Sequence, residues 1–285
     1  MPVEQTKDRV FLKHPKGASV EILLYGASVV SYKVGGEERL FLSAKAALDG
    51  SKAVRGGIPV VFPCFGPPSH PDHLRLPQHG FARSSKWTFD HIVMDNDAGV
   101  SVRLRLDPTP EIERVFDKPF SLAYVVTLAE HQLSTDLHVT NTSTQPWEFQ
   151  ALFHNYIRAP ADEVTISPLS ALSYYDKTES SEEARKTPKV EQRYEVDVKK
   201  TTDSVYEAAP GKYKLAWPGG GLDIRTTNLK DVVIWNPQET GSSMSDMEDG
   251  GWKRYVCVEP GHVRGFVQLE GGKTWVGQQV LEPKL

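Results

Sequence analysis

Cysteine is nearly absent: Cys64 and Cys257 are the only two in 285 residues. They form no Cys-x-x-Cys pair, so neither a zinc ribbon nor a dithiol redox motif is expected. So sparse a count suits a reducing cytosol, although one disulfide between the two stays open on sequence alone. Long apolar runs are also missing. Nothing approaches the roughly 18 uninterrupted apolar residues of a transmembrane helix, and the most apolar segment, Gly56 to Phe65, holds two prolines. The opening Met1-Pro-Val-Glu-Gln-Thr-Lys-Asp8 lacks the apolar stretch of a secretory signal. There is no excess of positive charge either. Lys and Arg number 33 against 37 Asp and Glu, a net of -4, which leaves no basic block to neutralise nucleic-acid phosphates. These absences predict a cytoplasmic protein with no nucleic-acid or membrane partner, and nothing calls for more than a monomer. Helix signals are weak too. Only Ser43-Ala-Lys-Ala-Ala-Leu48 joins a capping residue to good helix formers, over barely two turns.

What the chain does have is a period of two. Hydrophobic residues make up 39% and charged residues 25%, enough to bury a core and too apolar for disorder. Val100, Val102, Leu104 and Leu106 fall on one face of a strand, with Ser101, Arg103 and Arg105 on the other. Leu122, Tyr124, Val126 and Leu128 repeat the pattern, then Leu133, Thr135, Leu137 and Val139 after a short polar link, which reads as a hairpin with one buried face. Further strands are predicted at 19–25, 28–34, 87–94, 147–153, 190–198, 232–235, 254–258, 266–269 and 274–281. The polar stretch from Asp176 to Lys189 reads as a surface loop. A dozen strands with hairpin-length links and few short helices predict an all-β chain, one large antiparallel β-sandwich domain over residues 1–285.

Candidate chemistry lies where the pattern turns dense and irregular. Arg55 precedes Gly56-Gly57, a tight turn that presents a planar fork of donors suited to phosphate or carboxylate. Gln78, His79 and Arg83 crowd one short loop, Pro77-Gln-His-Gly-Phe-Ala-Arg83. His70 and His73 lie just upstream, but their spacing and the lack of a carboxylate partner argue against a metal site, and none is expected. In Leu152-Phe-His-Asn-Tyr156, alternation puts His154 on the face of Leu152 and Tyr156. In Tyr255-Val-Cys-Val-Glu-Pro260 it puts Tyr255, Cys257 and Glu259 together, and a carboxylate ending an apolar strand is either paired or functional. Asp203 follows the predicted 190–198 strand, and Asn236 ends another. The six tryptophans, Trp235 among them, offer stacking platforms for a ring or plain core packing.

Taken together and in order, these motifs resemble the aldose 1-epimerase (mutarotase) superfamily, in its glucose-6-phosphate 1-epimerase branch. The resemblance runs from Lys52 to the C-terminus. It implies a galactose-mutarotase-like supersandwich and a cofactor-independent exchange of the α and β anomers of a hexose 6-phosphate. His154 and Glu259 match the catalytic acid and base, and Arg55, Gln78, Arg83 and Asp203 match substrate-binding positions. His79 and Asn236 sit inside matched motifs and are carried as further candidates for substrate contact. One departure is Asn155, where many members have Thr after the catalytic His. On this reading an ionised Glu259 takes the C1 hydroxyl proton while His154 protonates the ring oxygen, its charge held by the nearby carboxylate. A non-catalytic carbohydrate-binding module and a mutarotase for unphosphorylated aldoses are the alternatives. A glycoside hydrolase would need two facing carboxylates, and a cupin-like metal enzyme a ligand set that the sequence does not offer.

Overall fold

Alternating residues become sheets because a strand's side chains leave by opposite faces, so one face can be apolar throughout. A computed structural model of the chain describes residues 2–284. The predicted hairpin is there. Phe120–Leu128 pairs with Leu133–Asn141, Tyr124 opposite Leu137 and Leu122 opposite Val139, and Gly99–Leu106 pairs with the former. These three are part of a nine-stranded antiparallel sheet that runs from Val196–Asp197 at one edge to Thr88–Asn96 at the other.

A second sheet of eight strands carries Lys189–Val190, Ser173–Asp176, Thr202–Tyr206, Asp231–Asn236, Tyr255–Leu269, Trp147–Phe153 and Val60–Val61 in that order, with Tyr156–Arg158 also paired to Tyr255–Leu269. A third sheet of five strands is formed by residues 3–38. Side chains from all three meet in one continuous core that reaches from Val10 to Leu281. Each large aliphatic or aromatic side chain there contributes roughly 1.5–3 kcal/mol by leaving water. In the long strand Tyr255–Leu269, Val256 and Val258 face this core. Tyr255 and Cys257 face the other way and join Phe41, Tyr156 and Met247 in a smaller cluster. That second face carries the cavity described below.

Several expectations are corrected. Ser43–Leu48 is a turn and not a helix. Ser43 Oγ donates to Asp246 O at 2.7 Å and accepts from Glu248 N at 3.0 Å, ties that hold the segment to a distant loop, and two turns are too short to nucleate a helix alone. The 190–198 segment is two short strands, Lys189–Val190 and Val196–Asp197, in different sheets. Between them the buried Glu191 carboxylate accepts from Arg193 N and from the Arg193 side chain, a local turn that competes with the ladder. Asp203 lies inside a strand, Thr202–Tyr206, and not after one. The predicted strands at 254–258 and 266–269 are one, Tyr255–Leu269. The surface loop after Asp176 contains a short helix, Glu182–Lys186, capped by Ser181.

Candidate active site

The outer face of the eight-stranded sheet opens into a cavity of about 320 Å³, lined among others by Arg55, Gln78, His79, Arg83, His154, Asp203 and Glu259. Register explains how the last three meet. Leu152 pairs with Gly261 and Tyr156 with Cys257. Both pairs sum to 413, so the same register sets His154 opposite Glu259, although the ladder itself is interrupted at 154–155. On the far side of Glu259 the neighbour is Val233, and Trp235 faces Asp203 on the next strand. The loops supply the rest. Gly57 turns with φ +66°, and a Cβ there would lie 2.1 Å from Val29 O; Gly80, φ +69°, is as tightly placed against Phe62 O. Only glycine fits such close left-handed turns, and they bring Arg55 and the 78–83 loop over the sheet.

His154 Nδ1 lies 3.4 Å from Glu259 Oε1 but is not aligned for a hydrogen bond. The imidazole stacks on the Tyr156 ring, 4.8 Å between centroids, with Trp235 edge-on at 5.7 Å. Both groups are buried, His154 to 8% exposure and Glu259 to 1%. Burial drives His154 well below its usual 6.5, and the Arg83 and Arg55 guanidiniums push the same way. Burial likewise drives Glu259 well above 4.5, with Asp203 adding repulsion. The expectation that the carboxylate keeps the imidazole charged is therefore corrected. Burial thus favours the neutral form of each group, the imidazole without an added proton and the carboxyl with one, since separated charges are disfavoured there.

Three cations face this pair. Arg55 is committed: its Nε lies 3.1 Å from Asp246 Oδ1 and its Nη1 donates to Tyr156 Oη at 3.0 Å. Lys177 is 3.6 Å from Asp203 Oδ2 and lies over the Phe65 ring at 4.7 Å. Arg83 donates to Gln78 O at 3.0 Å and has no carboxylate within ion-pair distance among the described residues. Burial lowers its pKa, the sign of a cation short of counter-charge. His79 has left-handed backbone, φ +67°. Its Nδ1 accepts from Gly66 N at 3.2 Å, and burial holds its pKa down at about 3. The ring is therefore neutral with its proton on Nε2, 3.4 Å from the Gln78 carboxamide. The donor atoms of His154, Cys257 and Glu259 lie within 4.8 Å of one another, the grouping here that could approach a metal ion.

Seven of the eight candidate site residues line this one cavity. Asn236 does not. It is fully buried, donates to Trp252 O and Tyr255 O at 2.9 and 2.7 Å, and accepts from Gln238 N; it fastens a turn. His70 and His73 lie outside as well, bound through Nε2 to the Glu148 carboxylate and the Glu148 carbonyl respectively. Cys64 and Cys257 are both buried and free. Lys177, Phe65, Val233 and Met244 were not legible as lining residues: Lys177 and Met244 stand in polar stretches without a motif, and Phe65 and Val233 are apolar members of motifs whose polar residues draw the attention. Of the tryptophans Trp235 alone lines the cavity, while Trp87 and Trp147 are core.

The chain is similar over its whole length to proteins already described. It is 32% identical to a protein of Cenchrus ciliaris provisionally named a glucose-6-phosphate 1-epimerase, over 96% of this chain and 84% of that one. An Escherichia coli K12 protein of the same provisional name is 30% identical over 88% and 82%. The crystal structure of a Salmonella typhimurium protein provisionally described as a mutarotase superposes with a TM-score of 0.86 at 25% identity, covering 99% of this chain and 92% of that one. Residues 8–282 match the family described as Aldose 1-epimerase. With that match and the all-β fold that it shares with the Salmonella protein, the chain belongs to the aldose 1-epimerase family.

Proposed function

We propose that this enzyme interconverts the α and β anomers of D-glucose 6-phosphate and related hexose 6-phosphates, with His154 and Glu259 as the proton carriers. Ring opening removes the proton of the C1 hydroxyl, breaks the bond between C1 and the ring oxygen, and protonates that oxygen. The aldehyde turns about the C1–C2 bond, and closure on its other face returns both protons. Nothing is consumed, so a pair sharing a single proton suffices. Glu259 accepts from the C1 hydroxyl, and His154 donates to the ring oxygen through Nε2, the nitrogen that does not face Glu259. These two substrate hydrogen bonds favour the charged form of each group and so draw the proton from carboxyl to imidazole within the complex. Gln78, His79 and Asp203 suit the ring hydroxyls, and Trp235 a face of the ring.

The observation that carries the phosphate part is Arg83, a half-buried guanidinium without a carboxylate partner, beside Lys177 and Arg55. A phosphate dianion supplies the missing counter-charge in the bidentate geometry that Arg favours. The reading includes a monomer in the cytosol that needs no cofactor, a setting that two buried free thiols fit. The test is anomer exchange by NMR, starting from α-glucose 6-phosphate and, in parallel, α-glucose. Wild-type enzyme is expected to accelerate the former more, and Arg83→Ala and Lys177→Ala to narrow that preference at least tenfold together. Peak shifts without faster exchange would mean a binding module, and an unchanged preference would mean an aldose without phosphate.

A further inference from the structure

The interruption that frees His154 from the ladder is closed by a side chain. Backbone N–H groups at this point turn away from Tyr255–Leu269: His154 N donates to Pro59 O at 3.0 Å and Asn155 N to Phe153 O at 3.0 Å. Val258 is the residue opposite Asn155 in the same register. Its carbonyl accepts from Asn155 Nδ2 at 2.9 Å. The same Nδ2 donates to Gln279 Oε1 at 2.7 Å, and Gln279 Nε2 donates back to Asn155 Oδ1 at 2.9 Å. Gln279 belongs to Thr274–Pro283, a strand of the opposite, nine-stranded sheet. Both amides are fully buried, at 0% exposure.

Two buried carboxamides facing each other this way satisfy one another, and neither donor could be lost without leaving a partner unpaired in an apolar core. Their placement has a further meaning. Asn155 follows His154 directly, and Val258 directly precedes Glu259. The Asn155–Val258 bond therefore ties the neighbour of one proton carrier to the neighbour of the other, at the very rung where the backbone bond is missing. Gln279 fixes the rotation of the Asn155 amide from the sheet behind. We infer that Asn155 and Gln279 form a reciprocal amide clasp that sets the His154–Glu259 separation, and that both are positioning residues for the epimerase reaction.

This rests on the proposed function only for its kinetic consequence; the geometric claim stands apart. The experiment compares Asn155→Ala, Gln279→Met and the double variant with wild type in anomer exchange of glucose 6-phosphate. In parallel it records the ¹⁵N shifts of the His154 ring at one fixed pH, assigned by their loss in His154→Gln. Displacing reacting groups by about 1 Å can slow a reaction on the order of 10²-fold. Each single variant is expected to lower kcat at least tenfold with KM within threefold. The double variant is expected to be no worse than Asn155→Ala, because the clasp acts as a unit. The ring shifts are expected to move in both singles, with Glu259, His79, Arg55 and Arg83 still facing the imidazole. Unchanged ring shifts in Gln279→Met, the milder change in volume, would overturn the clasp whether or not wild type exchanges anomers. So would a kcat within twofold of wild type in folded variants. If wild type shows no exchange while the shifts move, the functional reading fails and the clasp holds.

Discussion

At the scale of single residues, the proposed chemistry depends on two groups whose sequence neighbourhoods advertise them and whose charge states those neighbourhoods conceal. Glu259 ends an alternating apolar run, and His154 interrupts one; both are visible in a string of letters. That the shared proton is drawn toward the carboxyl is not visible, because desolvation is a property of everything packed around a group. Glu259→Gln and His154→Ala are each expected to lower kcat about 10²- to 10⁴-fold, the usual contribution of a placed acid or base. The pH profile follows from the same pair. A second proton entering it abolishes the base, and since His154 is pushed down, the acid-side fall in activity is expected only below 6.5, while loss of the shared proton at high pH abolishes the acid. Steady-state kinetics of the anomer exchange against pH checks both. Lys177 shows the limit of reading residues one by one. It lies in a polar stretch with no motif, and only the sheet beneath it, through Asp203, makes it part of the site.

At the scale of elements, alternation made many strands legible where one face meets the core and the other meets solvent or a cavity, although Arg9–Lys13 alternates in the same way and was missed. Ser28–Val34 and Trp147–Phe153 have the bounds that alternation predicts. The strand Lys212–Trp217 and its partner Gly220–Thr227 were missed, the former mixing lysines with apolar residues and the latter opening on glycines. Ser43–Leu48 was misread because local helix preference is weak against hydrogen bonds to a loop some two hundred residues on. Turns carry their own signal, and Gly57 gives the sharpest test. An alanine methyl there would strike a backbone carbonyl that itself accepts from Ile58 N at 2.9 Å. Gly57→Ala is expected to cost about 3 kcal/mol or more. Gly36→Ala, also left-handed but with open space around it, is expected to cost only about 1 kcal/mol. Denaturant midpoints of the two variants measure the difference.

At the scale of the whole molecule, stability against acid is tied to a histidine that takes no part in the chemistry. His73 is fully buried, and burial, with repulsion from His70, holds its pKa at about 4 against 6.5. Asp72, Lys118 and the Glu148 carbonyl are its other charged or polar neighbours. Between pH 6.5 and 4 the unfolded chain binds this proton and the folded one does not, so stability declines as pH falls through that window. The loss reaches up to about 3 kcal/mol, at roughly 1.4 kcal/mol per unit. Gln in place of His73 keeps a donor for the Glu148 carbonyl and has no proton to take up. The His73→Gln variant is therefore expected to lose less in Tm than wild type on going from pH 6.5 to 4, and a thermal melt series decides it.

His154 and Glu259, the proposed proton carriers, face each other in one register, His154 at the break between two short strands, which sets a gauge that the rim does not control. The gap is kept by strand register and by a side-chain bond from Asn155 to the Val258 carbonyl where the ladder breaks, whereas Arg55, Gln78, His79 and Arg83 hang from loops around it. Changes in those loops would therefore alter the rim of the cavity while leaving the spacing at its centre in place.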